Sequence, residues 1–176
     1  MTTTTMQILA AYLHVLGVAT YLGGAIVMEF VVGPAQKAIP PAQAQVMGLK
    51  TADRFLAFAW GALGLILASG LLRLATLHNL GLLASTRLWQ TSYGRTLLAM
   101  VILWAVLVVN GAIITFVLRP KLAGRMSSRV SAAQASAGQD AKIKAAAWTT
   151  RLARVDLGIV LVVALLGSSL KFGGVG

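Results

Sequence analysis

Cysteine is absent from this chain of 176 residues, and charged residues are scarce. The lack of cysteine excludes disulfide bonds, thiolate metal sites and a cysteine nucleophile. Charged residues make up 11% of the sequence, against roughly a quarter in soluble domains, and only four residues are acidic. Hydrophobic residues make up 58%. This composition argues against a water-soluble domain.

Four long stretches contain no Asp, Glu, Lys or Arg. Three of them, 6–28, 55–72 and 96–118, reach the length of about 18 to 20 apolar residues that a membrane-spanning helix needs. The fourth, 157–170, is long enough if Asp156 and Lys171 lie at the two membrane interfaces. The sequence therefore predicts an all-α fold, a single transmembrane domain built as a four-helix bundle, with helices over about 7–33, 53–76, 93–118 and 152–172.

The segments that join these helices have their own patterns. Pro34, Pro40 and Pro41 are expected to end the first helix, and the polar segment 42–53 is expected to form an interfacial helical turn before the second. The connection 119–151 is basic, and its stretch 140–148 favours a helix that extends the fourth span.

The net charge of +11 follows membrane topology and does not indicate nucleic-acid binding. Eleven of the fifteen basic residues fall in or next to the connections after the first and third helices. The other side has only Arg73, Arg87, Arg95 and Lys171. The positive-inside rule therefore predicts that the basic connections are cytoplasmic and that both termini lie outside.

Small residues at helical spacing predict which helix faces pack in the lipid bilayer, because they let neighbouring backbones approach closely. Each of the first two helices has one such face. The predicted faces are His14, Gly17, Val18, Tyr21, Gly24, Ala25 and Met28 on the first helix, and Ala57, Gly61, Gly64 and Ala68 on the second.

His14 is the main candidate for chemistry, because an ionisable residue inside a membrane helix is costly and is often functional. As a functional residue it would be an axial ligand to haem iron or a ligand to a copper ion. As a structural residue it would be a neutral imidazole bonded to Asn110 or Ser69. The other histidine, His78, lies in the outer connection, and a bis-histidine haem b needs that connection to fold inward; otherwise His78 is a solvated loop residue.

Other charged residues have two interpretations each. Arg73 and Arg95 share the outer side with His14, where they would bind haem propionates or anchor helix ends at the lipid headgroups. The acidic residues Glu29, Asp53 and Asp156 are expected to form an interfacial ion-pair network with Arg54, Arg151 and Arg154. Glu29 could alternatively handle protons.

Several short motifs resemble the copper-resistance protein D (CopD-like) family over roughly residues 8–122. These motifs are Leu13-His14-Val15-Leu16, Tyr21-Leu22-Gly23-Gly24, Arg54-Phe55 with Ala59-Trp60, Ser69-Gly70, and Ser92-Tyr93-Gly94-Arg95 followed by Leu97-Leu98. In the family the aromatic before the glycine pair is usually Trp, whereas this chain has Tyr21. His14 matches the histidine of the family's first helix.

This resemblance implies a multi-pass protein of the bacterial inner membrane that is associated with copper handling, in a wider group that includes haem-binding membrane proteins. The first hypothesis is a CopD-like protein that binds haem b or copper around His14, with His78, Arg73 and Arg95 as further cofactor contacts, for metal handling or electron transfer. The alternative is a non-catalytic accessory subunit that packs against a larger membrane protein complex. The expected partners are the lipid bilayer and either further copies of the chain or the other subunits of such a complex. A transporter is a third hypothesis.

Overall fold

The chain folds into long helices. The computed structural model describes residues 3–77, 80–123 and 132–175. Helix α1 comprises Thr3–Val27, a π-helical turn Met28–Val32 and the segment Gly33–Lys37, and helix α2 is Pro41–Thr76. A 3₁₀ turn, Leu80–Ala84, and a one-turn helix, Arg87–Gln90, precede α3. Helix α3 comprises Ser92–Ala112, a π-helical turn Ile113–Leu118 and Arg119–Ala123, and α4 is Ala132–Ser169, followed by a 3₁₀ turn Leu170–Phe172.

The all-α membrane fold is confirmed. Within the described residues, four helical spans are long and apolar enough to cross a membrane: Thr3–Lys37, Pro41–Thr76, Ser92–Leu122 and Gly138–Phe172. They are longer than predicted because helix continues into polar flanking segments. The segment 42–53 is the first part of α2 and not a separate interfacial turn, whereas the predicted helical extension over 140–148 is confirmed. At about 1.5 Å per residue, α2 and α4 each exceed a hydrocarbon core of about 30 Å.

Consecutive helices run in opposite directions, so the bundle has two distinct ends. The terminal end contains the starts of α1 and α3 and the ends of α2 and α4; the connecting end contains the opposite helix ends. A core where all four helices meet is formed by Tyr21, Ala59, Ala62, Leu63, Leu107 and Val160. A second cluster at the terminal end contains Leu74, Leu88 and Leu97, so the one-turn helix is packed against α2 and α3.

The small-residue faces were predicted correctly for α1 and wrongly for α2. On α1, every residue of the predicted face is buried or half-buried. On α2, the predicted residues Ala57, Gly61, Gly64 and Ala68 are all exposed on the outside of the bundle. The buried face of α2 contains Leu56, Ala59, Ala62, Leu63, Ser69 and Leu74 instead. Both sides of this helix contain small residues at helical spacing, so spacing alone does not identify the packed side.

Both π-helical turns come just before a proline. Pro34 follows the turn Met28–Val32, and Pro120 follows the turn Ile113–Leu118, with one residue between in each case. A proline lacks the N–H that would bond one turn back, and its ring crowds the carbonyl there. Local π-helical adjustment accommodates such a residue in a membrane helix. Pro34 therefore does not end α1, contrary to the prediction, and the helix continues to Lys37.

Candidate functional site

His14 lies on the face of α1 that contacts α2. Its ring atom Nδ1 lies 3.1 Å from the carbonyl oxygen of Ile66 and 3.1 Å from the hydroxyl oxygen of Ser69. A carbonyl oxygen can only accept, so Nδ1 carries the proton in this contact. The Ser69 hydroxyl donates in turn to the carbonyl of Leu65. The expected hydrogen bond from His14 to Ser69 is therefore present, and the lone pair of the ring is on Nε2.

Glycines allow the two helices to approach closely around this histidine. A Cβ atom on Gly17 would lie 2.9 Å from the Cγ1 atom of Ile66, which is closer than side chains tolerate. A Cβ atom on Gly70 would lie 3.5 Å from Cε1 of the His14 ring, in ordinary contact. The ring is therefore held between two backbones and has a fixed orientation.

Of the other residues that were predicted to contact a cofactor, Arg73 lies on the same interface as His14, but Arg95 does not. Arg73 follows Ser69 by one turn of α2, is half-buried, and lines a cavity of about 100 Å³ with Gln7 and Thr76. Arg95 is exposed at the start of α3, where its guanidinium donates to the Ser92 hydroxyl at 3.3 Å and to the Trp89 carbonyl at 3.5 Å. His78 lies outside the described residues. Arg73 therefore shares the α1–α2 interface with His14, whereas Arg95 bonds locally to residues around its own helix start.

A ready-made set of metal ligands is not found around His14. Over residues 3–77, 80–123 and 132–175, His, Asp and Glu side chains nowhere form a group of three or more that could hold a metal ion. Within that part of the chain, His14 is thus a single candidate ligand with an oriented ring.

Three of the four acidic residues form two ion pairs and one buried site. Arg154 bonds to Glu29 at 2.8 Å, as predicted for the interfacial ion-pair network, whereas Asp53 pairs with Arg119, which was not among the predicted partners. Asp156 does not belong to this network, contrary to the prediction. Its side chain is buried, and Oδ1 accepts a hydrogen bond of 2.8 Å from the Asn110 amide on α3. Asp156 therefore lies inside the bundle, on the face of α4 that meets α3.

A large cavity at the connecting end was not predicted. It has a volume of about 760 Å³, and residues from all four helices line it, among them Tyr21, Glu29, Trp60, Ile114 and Asp156. Its volume is within the range of about 300 to 1,000 Å³ that is typical of ligand pockets. The sequence does contain one signal for this polar site: Asn110 lies in the third apolar stretch, and the acidic residue Asp156 directly precedes the fourth.

Comparison with known proteins gives one match. A family model described as "Copper resistance protein D" matches residues 49–170, which is well over half of the chain. The matched segment includes Ser69, Arg73, Asn110 and Asp156 and begins after His14. No curated protein and no solved structure matches the chain.

Proposed function

Because this chain belongs to the copper resistance protein D (CopD) family, we propose that it is a metal-handling membrane protein in which Nε2 of His14 binds haem b or a copper ion. The observation that carries this proposal is the orientation of the ring. Nδ1 donates to the Ile66 carbonyl, which leaves Nε2 as the nitrogen with a lone pair. A histidine that binds a metal usually donates its other ring N–H to a carbonyl or carboxylate in this way.

The surrounding residues fit such a group in part. One histidine is sufficient as an axial ligand of a haem, and the half-buried cation of Arg73 on the same interface suits a propionate. The cavity beside Arg73 is only about 100 Å³, so a haem would have to lie largely outside the α1–α2 pair. A copper ion fits that volume but needs further donors, from His78, from a second copy of the chain or from a partner.

An absorption spectrum combined with metal analysis of the purified protein tests this proposal. We expect a Soret band or bound copper in the wild type and its loss in His14→Ala. Ser69→Ala is the matched variant, because it keeps the ligand and removes one partner of its ring. Removal of such a partner typically weakens metal binding by about 10- to 100-fold. A His14→Ala protein that elutes as the wild type and retains the same cofactor would show that His14 is not the ligand.

The exposed small-residue face of α2 favours a second candidate function, that of an accessory subunit. Ala57, Gly61, Gly64 and Ala68 are not used within the bundle. In lipid, rows of small residues are typical of helix–helix contacts, so this face suits a helix of a second copy or of a larger membrane complex. A cofactor-free protein that co-purifies with other subunits would support this function over metal handling.

The proposed location is the bacterial inner membrane, with both termini outside. The support is the charge distribution. Eleven of the fifteen basic residues lie in the connections at the connecting end, or in the helices between that end and the four-helix core. Positively charged connections are retained on the cytoplasmic side. His14 would then lie in the outer half of the bundle and the large cavity in the inner half.

A further inference from the structure

We propose that the cavity at the connecting end binds a small organic cation, with an ammonium group held by Asp156 and an apolar body held by aromatic walls. This site uses none of the residues proposed for metal binding, and it lies in the opposite half of the bundle. Three features support such a ligand: one oxygen of the Asp156 carboxylate has no hydrogen-bond donor among the described residues, aromatic side chains line the cavity, and the cavity is accessible from the connecting end.

The first observation is the carboxylate of Asp156, whose exposed fraction is only 5%. Oδ1 accepts the Asn110 hydrogen bond, and the described residues supply no donor to Oδ2. Oδ2 is nonetheless open to space, because every fully enclosed side-chain polar atom of the described chain has a partner. Asp156 is one of the residues that line the cavity, and we infer that Oδ2 opens into it and is available to a ligand there.

Charge balance favours a cation as that ligand. Glu29 at the same cavity is already paired with Arg154, and Asp53 is paired with Arg119. Lys37 also lines the cavity, near the end of α1, but within the described residues neither it nor any other Lys or Arg forms a salt bridge with Asp156. An unpaired carboxylate in the low-dielectric interior of a membrane bundle is costly, and such residues mark substrate or ion pathways.

The walls favour an organic cation over a metal ion. Four aromatic residues, Tyr21, Phe30, Phe55 and Trp60, line the same cavity as Asp156, and the Tyr21 and Phe55 ring centroids are 6.4 Å apart. The Trp60 ring is fixed by a hydrogen bond of 3.2 Å from its Nε1 to the Thr115 hydroxyl. Aromatic faces attract ammonium groups, whereas a metal ion needs several ligands, and the described His, Asp and Glu side chains nowhere form a group of three or more that could hold one.

Access comes from the connecting end. Two polar lining residues, Lys37 at the end of α1 and Gln45 near the start of α2, lie at the connecting end of the bundle. Both π-helical turns contribute lining residues, Glu29 from the first and Ile114 from the second. Such turns are frequent at functional sites. The cavity therefore leads from the polar rim to the Asp156 carboxylate in the bundle.

Equilibrium dialysis of the purified, detergent-solubilised protein with 1-naphthylmethylammonium tests the proposal. Its neutral counterpart, 1-naphthalenemethanol, has the same apolar body without the charge. We expect saturable binding of the ammonium probe, and binding at least about tenfold weaker for the alcohol and for the Asp156→Asn variant, because the attraction between opposite charges is lost in both cases. Asn at position 156 retains an oxygen that can accept the Asn110 hydrogen bond.

Asp53→Asn is the control. It also removes a carboxylate that is paired with an arginine, Arg119, but Asp53 is not a lining residue of the cavity, so we expect ammonium binding within about twofold of the wild type. Equal binding of the two probes to the wild type overturns the proposal and does not depend on any variant being folded. Equal binding of the ammonium probe to the wild type and to a folded Asp156→Asn protein also overturns it, and indicates an apolar pocket that is occupied by lipid.

Discussion

At the scale of single residues, Gly94 shows why the Ser-Tyr-Gly-Arg element requires a glycine. The one-turn helix Arg87–Gln90 lies against the start of α3, and Thr91 accepts a hydrogen bond of 3.0 Å from the backbone N–H of Gly94. A Cβ atom on Gly94 would lie 2.5 Å from the Leu88 carbonyl oxygen and 2.6 Å from that of Arg87. Both clashes are with backbone, which cannot rotate away as a side chain can.

Gly94→Ala is therefore expected to destabilise the protein by about 1 to 3 kcal/mol, the usual cost of overpacking. The direction of this change in stability is informative, because Gly→Ala within a helix ordinarily stabilises a protein by up to about 1 kcal/mol. The change is measured by thermal unfolding of the protein in detergent. Gly158→Ala in α4 is the control, since a Cβ atom there meets nothing within 4 Å. Equal unfolding temperatures for the two variants would contradict the proposed close contact.

The place of His14 inside the bundle was predictable from the sequence, whereas Asp156 was wrongly predicted to belong to an ion-pair network at the membrane interface. His14 lies in the middle of a long run without charges, so its place inside the bundle follows from hydropathy alone. Asp156 follows the basic residues Arg151 and Arg154, which resembles a membrane interface. The helix starts at Ala132, however, and Asp156 is on the face of α4 that meets Asn110. Which face a polar residue takes depends on the neighbouring helix, and periodicity does not report that.

At the scale of helices, the second helix carries two small-residue faces and uses one of them within the bundle. The inner face contacts α1 so closely that Gly17 cannot become larger without displacing Ile66. The outer face, with Gly61 at its centre, is exposed. Because this outer small-residue face is exposed on the outside of the bundle, we expect it to contact another protein helix in the membrane.

Cysteine cross-linking tests this face directly, since the chain has no native cysteine. With Gly61→Cys in native membranes under mild oxidation, we expect a covalent dimer or an adduct with a partner subunit, because small residues allow helices to approach within disulfide reach. Leu165→Cys on α4 is the control, as Leu165 is 71% exposed and lies outside this face. Monomer alone for Gly61→Cys, or equal cross-linking of both variants, would contradict the assignment.

At the scale of the whole molecule, hydropathy was sufficient to predict four spans, because each helix must be apolar over its length wherever it packs. The large cavity was not predictable in this way. It arises where the connecting ends of four helices meet, and it includes two π-helical turns. Pro34 and Pro120 were visible in the sequence, but a proline in a helix can end it, kink it or produce a π-helical turn, and the surrounding packing selects among these outcomes.

The charge distribution predicts the orientation of the bundle in the membrane. If the connecting end faced outside, most of the basic residues would have to cross the membrane, which the positive-inside rule disfavours. Single cysteines at two exposed positions, Thr86→Cys at the terminal end and Gln139→Cys at the connecting end, test this with an impermeant thiol reagent on spheroplasts. We expect Thr86→Cys to react with intact spheroplasts and Gln139→Cys only after permeabilisation. The reverse labelling pattern would invert the bundle, with His14 in the cytoplasmic half and the Asp156 cavity open to the outside.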